Sequence, residues 1–250
     1  MSFINSRLFV HGWATDSSVW EAIPRLEADM MLDLPGHGGV GRWDEPCLSP
    51  AVNAIEALLA GRPARSVVGV GWSLGGQALI EAAGEGLIQL GAIVLVSATP
   101  KFIASDEFPW GRSKALVRRM IMDMKKDAPA TLKKFYGLNF TDSERNGKEA
   151  RAFIARYESI NSSFCHDDIT TALEALYRAD LRPVLDKIDV PCLVMHGESD
   201  TVTPLSAARF LAENIRGARL SIFEGAGHAP FITRRERFIR ELDDFINGIG

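Results

Sequence analysis

The stretch GWSLG at residues 71–75 fits the pattern G-x-S-x-G and lies between two segments of different periodicity. Residues 66–71 form an apolar, β-branched run that predicts a strand, and residues 76–83 predict a helix. A serine in such a turn sits on strained backbone, and glycines two residues to either side let neighbouring backbone pass closely. The stretch therefore predicts a sharp strand-to-helix turn that presents Ser73 as a nucleophile.

The same glycines do not form a dinucleotide-binding fingerprint. Counted from Gly69 or from Gly71, no third glycine falls where the pattern G-x-G-x-x-G requires one. A nicotinamide enzyme is therefore disfavoured, and we expect a reaction that needs no cofactor.

Outward from this turn, short β-branched runs alternate with amphipathic stretches along most of the chain. The predicted strands span residues 7–10, 30–34, 66–71, 92–96, 192–196 and 219–223. Further predicted helices span residues 49–60, 114–126, 130–136, 148–159, 168–178 and 235–249. This alternation is typical of an α/β fold with a mostly parallel sheet and helices on both faces.

Between the fourth and fifth predicted strands, about ninety-five residues contain helical patterns but no convincing strand. A helical insertion there would cover the carboxyl ends of the strands, where ligands bind in open α/β sheets. We therefore predict a core of residues 1–100 and 186–250, with a helical cap at residues 101–185 inserted before the fifth strand.

Composition excludes several other classes of protein. The chain has 250 residues, of which 46% are hydrophobic and 24% charged, as in one ordinary globular domain. Its net charge of −4 argues against a nucleic-acid partner. No apolar run is long enough to span a membrane, the first six residues show no secretory signal, and the three cysteines are widely spaced. We expect a cytoplasmic monomer with no membrane partner and no metal.

A serine hydroxyl needs a base to become an effective nucleophile, and the base needs an acid that fixes its tautomer. His228 lies in a glycine-flanked loop after the last predicted strand, where its ring can turn into a cleft. Asp200 follows the fifth strand and is the favoured acid, with Glu198 as the alternative. Each group follows a strand's carboxyl end, so we predict that Ser73, Asp200 and His228 form a catalytic triad.

The other four histidines have simpler interpretations. His11 and His37 lie in turns after strands and are expected to stabilise those turns. His196 closes a strand and is expected to pack in the core. His166 lies beside a cysteine and two aspartates in the cap, but adjacent side chains point apart, so we do not expect a metal there.

An oxyanion formed at Ser73 would need hydrogen-bond donors. The Leu74 N–H lies at the predicted helix start, and the second donor should come from the loop after the first strand, which carries Trp13. These two strands should be neighbours at the topological switch point of the sheet. We therefore predict an oxyanion hole from the amides of Trp13 and Leu74, although Trp13 could instead anchor the surface.

These motifs together resemble the α/β-hydrolase superfamily over nearly the whole chain. The resemblance rests on the stretches HGW (11–13), DLPGHG (33–38), GWSLGG (71–76), DLRP (180–183), HGESDTVTP (196–204) and GH (227–228). Relatives usually carry one or two further strands before the first strand found here, so we expect a shorter sheet with an unchanged site.

Within the superfamily, the chain is similar to the pimeloyl-acyl-carrier-protein methyl ester esterases of biotin synthesis. This narrower resemblance rests on GW (12–13), GWSLGG, residues 97–102 leading to DEFP (106–109), and HAPFI (228–232). It implies hydrolysis of a methyl ester on a dicarboxylic acyl chain that an acyl-carrier protein holds. It also implies that Phe135 lies against the chain and Asn139 makes a polar contact, beside Trp13, Leu74 and the reacting residues.

Residues 112–134 contain eight basic residues and only two acidic ones, although the whole chain is acidic. Charge runs usually form a solvated helix face. A basic cap over the site would, however, steer an acidic carrier protein toward it. We therefore predict a docking surface made of Arg118, Arg119, Lys125 and Lys126, pairs of which are seven residues apart and share a helical face.

Two alternatives remain open from the sequence. The same triad would serve a general short-chain carboxylesterase, lactonase or perhydrolase acting on a small ester. The chain could also be a non-catalytic binding module on a hydrolase scaffold, which the three candidate residues disfavour.

Overall fold

The computed structural model describes residues 4–38, 41–160 and 163–249. Residues 1–3, which belong to the N-terminal segment that shows no secretory signal, lie outside the described residues. Six strands form one sheet: β1 (Ser6–Val10), β2 (Met30–Leu32), β3 (Val67–Trp72), β4 (Ala92–Val96), β5 (Cys192–Gly197) and β6 (Arg219–Phe223). Their order is β2-β1-β3-β4-β5-β6, and all five neighbouring pairs are parallel. The predicted α/β fold is confirmed.

The strands are apolar because the inner ones are buried on both faces. Every residue of β1, β3, β4 and β5 is buried, including Arg7, whose guanidinium pairs with Asp29. The helices flanking the sheet are α1 (Ser49–Leu59), α2 (Leu74–Gly84), α8 (Leu205–Asn214) and α10 (Arg235–Asn247), with the short α9 (Pro230–Thr233) before the last. In the part of the chain that is described, no helix combines the length and apolarity needed to cross a membrane.

Between β4 and β5, the regular structure of residues 97–160 and 163–191 is helical, apart from isolated bridges. They form α3 (Lys114–Lys126), α4 (Ala128–Leu138), α5 (Asp142–Arg145), α6 (Lys148–Ile160), α7 (His166–Arg178) and a 3₁₀ segment (Arg182–Lys187). We call α3–α7 the cap helices. The outer limits of 101 and 185 for a separate subdomain stay a prediction.

The cap helices are tied to the loops that follow β1 and β2. The Trp13 indole N–H donates to the carbonyl of Ile169 on α7 at 2.7 Å. Asp168, also on α7, accepts the backbone N–H of Trp43 at 3.0 Å and pairs with Arg42 at 2.9 Å. These contacts place the cap helices at the carboxyl edge of the sheet, over the boundary between β1 and β3. At this boundary the direction in which successive strands join the sheet reverses.

His11 and His37 are buried beside this boundary, with ring centroids 5.3 Å apart. His11 Nε2 accepts the Leu34 backbone N–H at 2.9 Å, which joins the loops after β1 and β2 as expected. Burial lowers the pKa of His11 to about 4, and burial together with the nearby His11 lowers the pKa of His37 to about 3. Both rings are therefore neutral in the folded protein at neutral pH.

Replacing His37 by phenylalanine should make the free energy of unfolding less dependent on pH below pH 7. Below pH 6.5 the unfolded chain protonates His37, whereas the folded chain does not until about pH 3, so acid favours unfolding. A fully shifted histidine lowers the free energy of unfolding by ~1.4 kcal/mol for each pH unit. Because of His37, the free energy of unfolding of the wild type should therefore fall by about 2 kcal/mol from pH 7 to pH 5. Urea unfolding at both pH values measures this loss, and an equal loss in His37→Phe would contradict the assignment.

Candidate active site

Ser73 forms the turn between β3 and α2. Its backbone has φ +52° and ψ −112°, in the left-handed half of conformational space that a residue with a side chain rarely adopts. The Ser73 N–H donates to the Val96 carbonyl at the end of β4 at 2.9 Å, and its own carbonyl accepts the Gln77 N–H in the first turn of α2. The side chain is part-exposed, as predicted for a strained turn that presents a hydroxyl.

The glycines of the motif are required by close backbone approach. A Cβ on Gly71 would lie 2.6 Å from the Gly75 carbonyl oxygen, and a Cβ on Gly75 would lie 2.4 Å from the carbonyl oxygen of Val10. The start of α2 therefore packs directly against the end of β1. This packing brings the loop that carries Trp13 to the turn that carries Ser73.

Asp200 and His228 are in direct contact inside the protein. The Asp200 Oδ2 lies 2.7 Å from His228 Nδ1, and both side chains are fully buried. Thr203 Oγ1 also donates to Oδ2 at 2.9 Å, while the N–H groups of Val202 and Thr203 donate to Oδ1 at 2.7 and 2.9 Å. The carboxylate is thus held in one orientation by its own loop and by the imidazole.

Two opposing effects act on the Asp200 carboxyl. Burial raises its pKa, but the charge and hydrogen bond of His228, with smaller contributions from His196 and Thr203, outweigh burial. The pKa of Asp200 is therefore lower than that of an ordinary aspartate. A buried carboxylate that remains ionised behind an imidazole can fix its tautomer and stabilise its protonated form.

His228 is held against the turn that carries Ser73. The Trp72 indole N–H donates to the His228 carbonyl at 2.9 Å, and the two ring centroids are 5.5 Å apart. The His228 N–H donates to the Asn139 carbonyl at 2.8 Å. Its Nε2 is buried and has no hydrogen-bond partner among the described residues, so the ring can take a proton there.

Glu198 and His196 do not take the positions of Asp200 and His228. Glu198 is exposed and accepts the Gly225 N–H at 3.0 Å, so Asp200 is the acid in contact with the imidazole. His196 is buried as expected, but it also lies 3.4 Å from Asp200 Oδ2 and bonds to the Thr203 carbonyl at 2.7 Å. Over the described ranges, no group of three or more histidine, cysteine or acidic side chains could hold a metal.

The two amides predicted to form the oxyanion hole lie on adjacent segments. The Leu74 N–H is the first of α2 and the Trp13 N–H lies in the loop after β1, and neither donates to an acceptor within the described residues. Gly12 packs so closely on the Trp72 ring that a Cβ would lie 2.8 Å from it. Trp13 itself is buried and bonded to α7, which argues against a surface anchor.

An apolar cleft of about 420 Å³ opens between α3 and α4. Its apolar lining comprises Phe102, Leu116, Val117, Met120, Ala130, Phe135, Leu138 and Val202. The Phe135 ring packs edge-on against Trp13 with centroids 4.7 Å apart, and the Val202 N–H bonds to Asp200. The lining of the cleft therefore includes one residue of the loop that carries the candidate acid. It adjoins the candidate oxyanion loop only through Phe135.

The two cap residues that the resemblance implied are placed differently. Phe135 lines the cleft, as expected for a residue against an acyl chain. Asn139 is fully buried, with its Nδ2 donating to the carbonyls of Phe135 and Tyr136 at 3.1 and 3.3 Å. Its Oδ1 has no partner among the described residues, so a polar contact to substrate stays a prediction.

The four predicted docking residues divide between two sides of α3. Arg119 and Lys126 line the cleft, where Arg112 and Lys134 join them. Arg118 instead lies over the Tyr177 ring of α7 at 5.6 Å, and Lys125 pairs with Glu174 of α7 at 2.8 Å. All four are exposed, but only the first pair faces the cleft.

Sequence reasoning did not single out three residues that support the site. Thr203 bonds to Asp200 and Trp72 bonds to His228, and both lay inside quoted motifs without an assigned role. Glu144 accepts the Gly227 N–H at 2.9 Å from within the cap helices. The T-x-x-E stretch at 141–144 is a helix-capping pattern that could have drawn attention to Glu144.

A parallel sheet, a serine on a strained turn after β3, and a buried acid–imidazole pair define an alpha/beta hydrolase. The sequence matches the model of the alpha/beta hydrolase family over residues 8–241, and the chain belongs to that family. The superfamily resemblance found in the motifs is confirmed.

Two sequence relatives and one solved structure show which kind of alpha/beta hydrolase this chain resembles. The chain is 32% identical over 252 residues to the pimeloyl-acyl-carrier-protein methyl ester esterase of Aromatoleum aromaticum, covering 96% of this chain and 98% of the relative. It is 31% identical over 243 residues to the esterase of the same name from Nitrosomonas europaea, covering 94% and 93%. A solved esterase from Exiguobacterium antarcticum superposes with a TM-score of 0.89 at 25% identity, covering 99% of this chain and 94% of that one. The narrower resemblance is confirmed as well.

The close approach at Gly75 gives a test of the turn. Gly75→Ala should lower the free energy of unfolding by more than ~2 kcal/mol, because the new Cβ meets backbone carbonyls that cannot move aside. Gly137→Ala is the matched control, since its Cβ would meet only the Arg145 Nε at 4.0 Å. Urea unfolding measures both, and a Gly75 variant as stable as the control would contradict this account of the turn.

Proposed function

We propose that this chain is a serine carboxylesterase that hydrolyses the methyl ester of a pimeloyl group carried by an acyl-carrier protein. The observation that carries the proposal is the 2.7 Å contact between Asp200 and His228, held against the turn that presents Ser73. The names of the two relatives supply the substrate. Acting as a cytoplasmic monomer is part of the same proposal.

In the proposed mechanism, Ser73 Oγ attacks the ester carbonyl while Nε2 of His228 takes its proton. Asp200 accepts the Nδ1–H of His228 and stabilises the imidazolium that forms. The amides of Trp13 and Leu74 donate to the oxyanion. His228 then gives the proton to the methoxide oxygen as the C–O bond breaks, so that methanol leaves and the acyl group stays on Ser73. Water, which gives a proton to His228, then attacks this acyl-enzyme, and the proton returns to the Ser73 oxygen as the free acid is released.

Two substitutions test these roles directly. Ser73→Ala should lower turnover of a short methyl ester by at least ~10³-fold while leaving thermal unfolding unchanged. Asp200→Asn should lower kcat by roughly 10³- to 10⁴-fold, because an amide favours the wrong tautomer of His228. Glu198→Gln, which changes the neighbouring exposed acid, is the matched control and should keep wild-type turnover. Normal turnover in either test variant would remove that residue from the mechanism.

The cleft supports a carrier-bound substrate. Its apolar walls suit a methylene chain. Its lining includes Val202, which bonds to Asp200, and Phe135, which packs on Trp13. Its rim holds Arg119, Lys126 and Lys134, whose charge would attract an acidic carrier protein. Of these, Arg119 already pairs with Asp123 at 2.9 Å. Lys126 and Lys134 are therefore the rim cations we propose for docking.

Lys126→Ala combined with Lys134→Ala should raise KM for the carrier-bound ester by roughly 3- to 10-fold, because exposed charges contribute modestly and mainly to association. The rate on a free methyl ester should not change. The matched control combines Lys125→Ala with Lys133→Ala, two lysines that pair with Glu174 and Glu158 on other cap helices. Equal effects on both substrates, or an equal effect of the control pair, would contradict docking at this rim.

Loss of the methyl group from pimeloyl-carrier methyl ester, followed by mass spectrometry, tests the substrate itself. Hydrolysis of the carrier-bound ester with kcat/KM well above that of short nitrophenyl esters supports the proposal. A preference for the short esters would favour a general carboxylesterase, and no turnover of any ester would favour a binding module.

A further inference from the structure

The loop that carries His228 has no helix or strand of its own. It occupies residues 224–229, between the end of β6 and the start of α9. Three hydrogen bonds from distant parts of the chain hold the backbone of Gly227 and His228. Glu144 accepts the Gly227 N–H at 2.9 Å, the Asn139 carbonyl accepts the His228 N–H at 2.8 Å, and Trp72 donates to the His228 carbonyl at 2.9 Å. Two of these three partners belong to the cap region between α4 and α6.

The Glu144 carboxylate contacts this segment on both sides of His228. Its Oε2 accepts the Gly227 N–H, and its Oε1 accepts the Thr233 hydroxyl at 2.5 Å and lies 3.5 Å from an Arg234 guanidinium nitrogen. Only 4% of the side chain is exposed. A buried carboxylate is costly unless it is hydrogen-bonded, so these contacts must form together for Glu144 to stay inside.

Helix capping alone does not account for this arrangement. Glu144 completes a capping box with Thr141, in which Oε2 also accepts the Thr141 N–H at 3.0 Å. The helix so capped, α5, is only four residues long. The same oxygen reaches Gly227, where a Cβ would lie 2.8 Å from the Asn139 carbonyl and 3.1 Å from Oε2. The backbone of Gly227 therefore lies in direct contact with the Glu144 carboxylate.

We propose that Glu144 is a positioning residue for His228. By holding the Gly227 N–H it fixes the backbone immediately before the histidine, so that Nδ1 meets Asp200 and Nε2 stays beside the turn of Ser73. The cap region thus supplies part of the support for the base as well as a wall of the substrate cleft. This inference rests on the proposed function, because it assigns a role only if His228 acts on Ser73.

A fluorophosphonate probe separates positioning from stability. In its reaction the serine oxygen bonds to phosphorus, fluoride leaves, and His228 takes the proton, so the labelling rate reports activation of Ser73 without involving the natural substrate. The final extent of labelling, read by intact-protein mass spectrometry, reports the fraction of molecules that is not irreversibly misfolded. A melting curve of the same sample shows whether the protein is folded at the assay temperature. A misplaced base lowers the labelling rate of a protein that is fully folded there.

Glu144→Ala should be labelled to completion but roughly 10- to 100-fold more slowly, since small displacements of a catalytic group cost that much. Its KM for a short ester should stay within about twofold of wild type while kcat falls with the labelling rate. Glu144→Gln keeps an oxygen that can accept the Gly227 N–H and should restore most of the rate. Thr141→Ala is the matched control. It removes the hydroxyl that caps α5 and donates to Glu144 Oε2 at 3.2 Å, but it keeps the carboxylate and its contact with the Gly227 N–H. It should therefore lower the melting temperature while slowing labelling by less than about twofold.

Glu144→Ala labelled at the wild-type rate would overturn the proposal, as would a glutamine variant as slow as the alanine variant or a Thr141→Ala variant equally slow. If Glu144→Ala does not fold, Glu144→Asp replaces it, because the shorter side chain draws the carboxylate back from Gly227; a wild-type labelling rate in that variant would also overturn the proposal. A wild-type protein that is not labelled at all would instead refute the serine chemistry of the proposed function, which keeps the two failures distinct.

Discussion

The contact between the Asp200 carboxylate and the His228 imidazole is the constraint on which the site depends. Both groups are buried, so neither could be left without its partner except at a large cost in free energy. Burial raises the pKa of Asp200 while the imidazole and the surrounding hydrogen bonds lower it, and the balance keeps the carboxylate ionised. The loops after β5 and β6 must therefore meet at one place, and that place lies beside the turn after β3 because Trp72 bonds to the His228 carbonyl.

Most of the fold was predictable because its signals are local. The inner strands are buried on both faces, so their apolar runs mark them, and all six were predicted with ends within two residues of those observed. No helix was predicted at α8. The helices α5 and α9 have only four residues each, too few for a helical period to show in the sequence. The order of the motifs likewise predicted that Asp200 would lie beside His228, because both follow strand ends on the same edge of the sheet. That Ser73 completes a catalytic triad with this pair stays a prediction.

The contacts of Glu144 and Thr203 that support the site were not predictable, because they form only when segments far apart in the sequence come together in the fold. Nothing in the sequence around Glu144 indicates that its oxygen will reach Gly227, and Thr203 gains its role only once Asp200 contacts His228. The basic helix shows a second limit. Residues seven apart share a face, but neighbours differ by about 100° around an α-helix. Arg119 and Lys126 therefore face the cleft, while Arg118 and Lys125 face α7.

These contacts divide the cap helices into two parts with different tasks. The segment from the end of α4 through α5 is hydrogen-bonded to the loop of His228, so displacing it would disturb the candidate base. The helix α7 is hydrogen-bonded to the loops after β1 and β2, so displacing it would disturb the candidate oxyanion loop. The side-chain hydrogen bonds and ion pairs of α3 within the described chain end on α3 itself or on α7. The helix α3 forms one wall of the cleft and, in the described part of the chain, makes no side-chain hydrogen bond or ion pair to a candidate catalytic loop.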